Sequence, residues 1–164
     1  MNYVLCSENS YKINSYSPED TYKIGVLLGG ACYPGLTILL YGGLGMGKTQ
    51  ITQGIGHSLG IKRVKSPTFI IISEHEGILP LIHADLYRLE TFSDVDSLDL
   101  ESYTDSGAVL VVEWAERWQN TPQNDMWNIH FINSSEENPD QREIRITAYG
   151  AQAAKHLSEA LGNI

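Results

Sequence analysis

Apolar residues form short continuous runs over most of the chain and alternate with polar residues in its last third. The continuous runs predict strands at 37–41, 81–84 and 108–112, and the last of these is apolar enough for a central strand covered on both faces. Alternation at 127–132 and 143–148, on either side of a polar stretch, predicts an antiparallel hairpin. The last third therefore differs in architecture from the rest.

Helical spacing of apolar residues lies between these strands. Ser17-Pro18-Glu19-Asp20 predicts a helix start, because a serine N-cap accepts a backbone N–H and a proline at the first helical position loses no hydrogen bond. This helix is expected to stop before Pro34-Gly35. Further helices are predicted over 50–59, as short helices over 92–106, and over 151–161.

Three segments have weaker patterns. Residues 1–14 are expected to form an extended, partly ordered and flexible lead-in. Ser66-Pro67-Thr68 predicts a rigid polar bend that opens a strand at the isoleucines 70–72. Residues 76–80 then predict a hairpin connection into the strand at 81–84.

The stretch from Gly42 to Thr49 fits the phosphate-loop pattern G-x-x-x-x-G-K-[ST]. Its glycines allow a tight turn whose amide N–H groups cradle a phosphate, while Lys48 reaches the β- and γ-oxygens and the Thr49 hydroxyl holds magnesium. A glycine-rich turn matching by chance is the alternative. A strand is predicted before the motif and a helix after it, which favours a nucleotide site. Its predicted residues are Gly42, Gly43, Leu44, Gly45, Met46, Gly47, Lys48, Thr49 and Gln50.

Two acidic residues follow predicted strands. Glu113 ends the run 108–112, and Asp85 follows 81–84. Ligands of open α/β sheets gather at the carboxyl ends of strands, so both carboxylates are expected near the γ-phosphate. We assign Glu113 to magnesium with Thr49, and Asp85 to the attacking water, although spacing alone leaves the reverse assignment open. Either acid alone would be read as a helix cap. His83 is interpreted as a packed or hydrogen-bonded histidine rather than a metal ligand.

Composition and charge narrow the function classes. The chain has 164 residues with 42% hydrophobic content, as expected of a single domain over 1–164. No apolar run is long enough to span a membrane and no signal peptide begins it, so a cytoplasmic protein is predicted. The net charge is -9, with no basic stripe, so autonomous nucleic-acid binding is not expected. Any contact with RNA is expected to run through a partner.

Four blocks of residues, in order and approximate spacing, resemble the TsaE family, formerly YjeE. They are the phosphate loop 42–49, Ser66 to Phe69, His83 to Arg88, and Glu113 to Arg117. The resemblance covers roughly residues 15–160, and four ordered blocks are more specific than one phosphate loop. It implies a P-loop NTPase-like, three-layer α/β/α fold whose mixed sheet has a parallel core and an antiparallel C-terminal hairpin.

The resemblance also implies a function in the biosynthesis of threonylcarbamoyladenosine (t6A) in bacterial tRNA. It implies that this chain binds ATP and Mg2+ and hydrolyses ATP weakly, so we expect a P-loop ATPase that is slow without partners. It further implies that the chain acts as an accessory subunit of the TsaB and TsaD proteins, which form t6A at position 37 of tRNAs that decode ANN codons. The tRNA is reached only through that complex.

Roles carry over by position within the matching blocks. The resemblance implies that Lys48 holds phosphate, that Thr49 and Glu113 support magnesium, and that Asp85 is catalytic together with Lys48. Ser66 to Phe69 resembles a switch segment near the γ-phosphate. The candidate γ-phosphate contacts are Ser66, Thr68, Arg88 and Trp114.

The blocks also depart from the family pattern at four positions, Gly43, Met46, Ala84 and Ala115. Gly43 and Met46 affect the rigidity of the loop more than its chemistry. Ala84 leaves a smaller side chain beside Asp85 than the usual phenylalanine.

Other P-loop proteins are the alternatives. A small-molecule P-loop kinase usually clamps phosphates with an arginine-rich lid, whereas the five arginines here are not clustered. A GTP switch protein would need an Asn-Lys-x-Asp stretch, which the sequence lacks. A nucleotide-sensing regulatory module with negligible turnover remains the alternative from a different class.

Overall fold

A computed structural model describes residues 3–65, 70–133 and 136–162. Within these ranges the chain forms eight strands, five α-helices and one 3₁₀ helix. They are β1 (Tyr3–Ser7), β2 (Ser10–Ser15), α1 (Pro18–Gly29), β3 (Thr37–Tyr41), α2 (Lys48–Ser58), β4 (Ile72–His75), β5 (Leu81–Asp85), α3 (Phe92–Asp96), α4 (Leu100–Asp105), β6 (Val109–Glu113), a 3₁₀ helix (Ala115–Arg117), β7 (Met126–Asn133), β8 (Arg142–Tyr149) and α5 (Ala151–Leu161).

All eight strands form one mixed sheet in the order β1-β2-β8-β7-β3-β6-β5-β4. The central pairs β7–β3, β3–β6 and β6–β5 are parallel, and the remaining pairs are antiparallel. The predicted C-terminal hairpin is β7–β8, with Ile129 opposite Ile146 and Phe131 opposite Ile144. The predicted mixed α/β sheet with a parallel core is therefore confirmed.

Helices cover the sheet unequally. On one face α1, α2 and α5 bury a large apolar cluster that includes Ile24, Ile55 and Leu157. On the other face α3, α4 and the 3₁₀ helix bury a smaller cluster with Val95 and Leu100 over the parallel strands. This arrangement gives three layers, and β6 is buried on both sides as its apolar run predicts.

Helix α1 begins and ends close to the predicted bounds. The Ser17 hydroxyl accepts the backbone N–H of Asp20 at 3.1 Å, which is the expected N-cap. The helix packs closely against α2, and the lack of a side chain at Gly25 permits this contact. A Cβ atom at Gly25 would lie only 2.2 Å from the carbonyl oxygen of Ile51. This approach places the start of α1 beside the loop between β3 and α2.

Two predictions about local structure differ from the structure in part. The lead-in is extended, as expected, but Tyr3 to Ser15 also forms the hairpin β1–β2, which pairs with β8 through β2. The buried side chains of Tyr11 and Ile13 alternate with polar ones, a pattern too short to stand out in sequence.

The strand predicted at 70–72 instead begins at Ile72, and the side chain of Ile70 is exposed. Pairing with β5 rather than β-propensity decides this boundary. The predicted bend at Ser66-Pro67-Thr68 lies outside the described residues.

Among the described residues, no helix is both long enough and apolar enough to cross a membrane.

Candidate functional site

The loop between β3 and α2 has the backbone of a phosphate cradle. Gly45 and Gly47 have φ values of 72° and 106°, in the left-handed region that favours glycine. Gly47 directly precedes α2, so the helix begins with its first amide N–H groups directed towards the loop. A helix N-terminus with this geometry attracts phosphate. The strand, loop and helix therefore follow one another as the motif requires.

Lys48 carries the positive charge of this loop. Its Nζ donates hydrogen bonds to the carbonyl oxygens of Gly42 and Gly43 at 2.7 and 2.6 Å. The ammonium also lies 4.5 Å from the ring centroid of Trp114, a cation–π geometry. Burial lowers the pKa of Lys48, and the charges of Glu113, Glu116 and Asp85 oppose that shift. The lysine is thus held at the loop by neutral oxygens and an aromatic face.

Glu113 and Thr49 lie in contact at the base of the site. Glu113 is the last residue of β6 and only 4% exposed. The Thr49 hydroxyl donates to its Oε1 at 3.1 Å and lies 3.4 Å from its Oε2. Nε2 of His83, in β5, lies 2.9 Å from the same Oε1. The structure therefore brings together the pair that the sequence assigns to magnesium.

Asp85 ends the neighbouring strand. In the parallel register of β5 and β6, Asp85 lies opposite Glu113. Its Oδ1 accepts the backbone N–H of Tyr87 at 3.0 Å. Partial burial raises the pKa of Asp85, the hydrogen bond from Tyr87 opposes this, and the nearby charge of Glu113 adds to it. The two carboxylates share one edge of the sheet but differ in environment.

These side chains line a cavity of about 460 Å³, a size that suits a small ligand. The described residues that line it are Pro18, Thr21, Leu44, Gly45, Met46, Gly47, Lys48, Thr49, Gln50, Asp85, Tyr87, Glu113, Trp114, Asp140 and Arg142. Most of the predicted site residues are therefore in one place. Gly42 and Gly43 instead offer their carbonyls to Lys48, and Arg88 is not among the lining residues. Ser66 and Thr68 lie outside the described residues.

Trp114 lies at the wall of the cavity. Its φ is 56°, which is rare for a bulky residue, and its ring lies 4.9 Å from that of Tyr87. This backbone conformation turns the chain from β6 into the 3₁₀ helix and aims the indole at Lys48.

Sequence reasoning missed Arg142 at the cavity. This residue begins β8, and its Nη2 lies 3.5 Å from the carbonyl oxygen of Gly45, 97 residues away in the chain. Its Nε is buried and has no hydrogen-bond partner within the described residues. No local motif marks the position, because only the pairing of β8 with β7 brings it beside the loop. The start of α1 contributes Pro18 and Thr21 in the same way.

The His83 side chain fits the interpretation as a hydrogen-bonded histidine. It is fully buried and contacts Glu113. No group of three or more histidine, cysteine, aspartate or glutamate side chains suited to a metal occurs in the part of the chain that the structure describes.

Comparisons with known proteins identify the family of this chain. The family model described as threonylcarbamoyl adenosine biosynthesis protein TsaE matches residues 15–144. A TsaE protein of Bacillus subtilis is 39% identical over 141 residues, covering 85% of this chain and 86% of its own. A Nostoc TsaE is 44% identical over 117 residues, or 68% of this chain and 72% of its own.

A solved structure agrees as well. The crystal structure of Bacillus subtilis YdiB matches with a TM-score of 0.76 at 33% identity and covers 93% of this chain and 95% of its own. The match of the family model over residues 15–144 and the B. subtilis relative lead to the same conclusion: this chain belongs to the TsaE family of tRNA threonylcarbamoyladenosine biosynthesis proteins.

Proposed function

We propose that this chain is a magnesium-dependent ATPase that serves as an accessory subunit of the TsaB and TsaD proteins in the formation of t6A at position 37 of ANN-decoding tRNAs. The observation that carries the proposal is the cavity in which a phosphate loop meets two strand-end carboxylates, Asp85 and Glu113. A P-loop enzyme needs these groups together for phosphoryl transfer to water.

The nucleotide is held by the loop in this proposal. The amide N–H groups around Gly45 and Gly47 bind the β-phosphate, and Lys48 leaves its carbonyl partners to bind β- and γ-oxygens. Gln50, next in α2, lines the same cavity. Arg142 lines the same cavity beside the loop and adds a second cation, with donors that suit phosphate oxygens.

The residues present fit a magnesium ion. A threonine hydroxyl and a glutamate carboxylate already lie 3.1 Å apart, and hard oxygen ligands are those that magnesium prefers. Thr49 would hold the ion directly, with Glu113 supporting its ligand shell. When bound, the ion neutralises charge that develops on the phosphate oxygens.

Asp85 is the group proposed to act on water. Its carboxylate lines the cavity on the strand next to Glu113, and the burial that raises its pKa makes it a better proton acceptor than an exposed aspartate. Ser66, Thr68, Arg88 and Trp114 are proposed to respond to the γ-phosphate. Of these, Trp114 lines the cavity in the described structure.

Partners supply the RNA in this proposal. A net charge of -9 disfavours direct binding of tRNA, since such binding depends on neutralising phosphates. The acidic chain would instead contact tRNA through TsaB and TsaD, in the cytoplasm.

The deciding experiment measures ATP hydrolysis by the pure protein, alone and with TsaB, TsaD and tRNA of the same organism. We expect a slow basal rate that rises with partners, and t6A formation that requires this chain. Lys48→Ala serves as the control for contaminating ATPases. A flat rate with unchanged tRNA modification would overturn the proposal. In that case, a phosphorylated small product would indicate a kinase, and binding without turnover a sensor module.

A further inference from the structure

His83 is the middle residue of β5, the outermost of the parallel strands, and lies in a largely apolar setting. It is fully buried in β5, paired with Val111 of β6 and Ser73 of β4. Because side chains alternate along a strand, its ring shares a face with Leu81, and that face packs in the cluster beneath α1 and α2. An aliphatic side chain would fill this position without the free-energy cost of burying the polar nitrogens of an imidazole.

The ring makes one polar contact within the described residues. Nε2 lies 2.9 Å from Oε1 of Glu113, whereas Nδ1 is buried and has no hydrogen-bond partner in the part of the chain that the structure describes. A carboxylate oxygen accepts hydrogen bonds, so Nε2 donates in this contact. Nδ1 is left without a partner among the described residues. A histidine that leaves one nitrogen unsatisfied in the core is costly, and only its bond to Glu113 compensates for it.

The hydrogen bond from His83 fixes the position of the Glu113 carboxylate. A glutamate has one more rotatable bond than the aspartate that usually supports magnesium in P-loop enzymes, so its carboxylate needs to be fixed by neighbours. Val111 and Glu113 lie on the same face of β6, and the register sets His83 beside Val111. The carboxylate therefore reaches diagonally back to His83, and Oε1 is held between that ring and the Thr49 hydroxyl.

We propose that His83 is a positioning residue: its Nε2–H anchors Oε1 of Glu113, so that the carboxylate is kept in contact with Thr49, the residue that would hold magnesium. The magnesium part rests on the proposed function, whereas the anchoring of Glu113 does not. Partners of this kind commonly orient the ligands of metal sites.

The first test examines the nucleotide-free protein and so does not depend on magnesium. Side-chain nitrogen NMR of histidine-labelled protein at neutral pH should show a proton on Nε2 of His83. That signal should shift in Glu113→Gln and stay in place in Glu143→Gln, which changes a glutamate outside the site. An Nε2 without a proton, or a signal indifferent to Glu113→Gln, would overturn the proposal.

The second test separates positioning from folding. His83→Leu keeps apolar bulk without a donor, and His83→Gln restores an N–H donor at a similar distance along the side chain. The quantity to measure is the ratio of the dissociation constant of ADP in EDTA to that in Mg2+, which we call the magnesium factor. His83→Leu should reduce the magnesium factor about tenfold, the size expected for one charge-assisted hydrogen bond. The dissociation constant in EDTA should not change. His83→Gln should recover most of the magnesium factor.

The matched control is His75→Leu, on the adjacent strand β4. His75 is partly buried and also has a buried ring nitrogen, Nε2, without a hydrogen-bond partner in the described structure, so its replacement removes an imidazole from the same sheet while the contact between His83 and Glu113 stays in place. Equal loss in His75→Leu and His83→Leu would overturn the proposal, as would an unchanged magnesium factor in His83→Leu. If Glu113→Gln itself keeps the wild-type magnesium factor, the metal role in the proposed function fails, and the NMR result alone then decides whether His83 anchors Glu113.

Discussion

Two glutamates on the same sheet have opposite surroundings. Glu113 ends a parallel strand, is almost fully buried, and contacts an imidazole ring and a hydroxyl. Glu143 lies in the antiparallel strand β8, where its carboxylate forms ion pairs with Lys12 at 2.6 Å and Arg145 at 2.5 Å. The side chains of Lys12 and Arg145 are 36% and 57% exposed, so water screens these pairs.

The difference follows from how each half of the sheet is covered. Helical layers enclose the parallel half on both faces, so a carboxylate at its strand ends is held in a fixed, poorly hydrated place. The antiparallel half has helices on one face, and its other face carries alternating polar residues in solvent. A carboxylate in the parallel half is therefore placed to act on a bound ligand, whereas charged side chains in the antiparallel half mainly contact water.

The largest effect is expected at the strand-end acids. Asp85→Ala should retain ATP binding and lose hydrolysis by about a hundredfold or more, because a positioned base contributes that much. Single-turnover assays with radiolabelled ATP would measure this. Glu116→Gln, on an exposed nearby acid, should stay close to wild type. Hydrolysis that persists in Asp85→Ala but disappears in Glu113→Ala with magnesium still bound would exchange the two roles.

The phosphate-loop lysine comes next. Lys48→Ala should weaken ATP binding at least about a hundredfold, since two charge-assisted contacts with phosphate are lost. Isothermal titration calorimetry measures the change, with Lys155→Ala on the exposed side of α5 as its control. Wild-type affinity in Lys48→Ala would contradict the site assignment.

A smaller effect is expected from Arg142, which begins the antiparallel strand β8 and lines the cavity. Arg142→Ala should reduce nucleotide affinity about tenfold, because one cation near the loop is removed. Arg145→Ala, three residues further along the same strand and on the open face, provides the matched comparison. Equal affinities in the two variants would place Arg142 outside the nucleotide site.

The smallest effect is expected at Glu143. The hydrogen bond from Lys12, followed by the one from Arg145, lowers the pKa of this carboxyl in the folded protein. Its contribution to the free energy of unfolding is therefore present above the pKa of the unfolded chain and is lost as pH falls through the lower folded value. Urea unfolding of wild type and Glu143→Gln should differ by less than about 1 kcal/mol at neutral pH and converge in acid. A large difference that persists in acid would contradict a screened pair.

Much of the fold was predictable because its signals are local. The apolar run at 108–112 and the serine-proline helix start at Ser17 each act over a few residues. The hairpin β1–β2 was not, because its strands are short and mixed in polarity, and pairing with β8 makes them strands. The start of β4 was displaced for the same reason, since contact with β5 outweighs the preference of three isoleucines.

The site divides in the same way. Gly42 to Thr49 is contiguous, so its backbone geometry and its lysine could be read from spacing alone, and Asp85 and Glu113 were identified because each follows an apolar strand. The sequence by itself thus determined most of the side chains that the candidate site contains. Only the tertiary structure decided that His83 holds Glu113 and that Arg142 faces Gly45, because strand register brings together residues 30 and 97 positions apart, and no local pattern encodes such a distance.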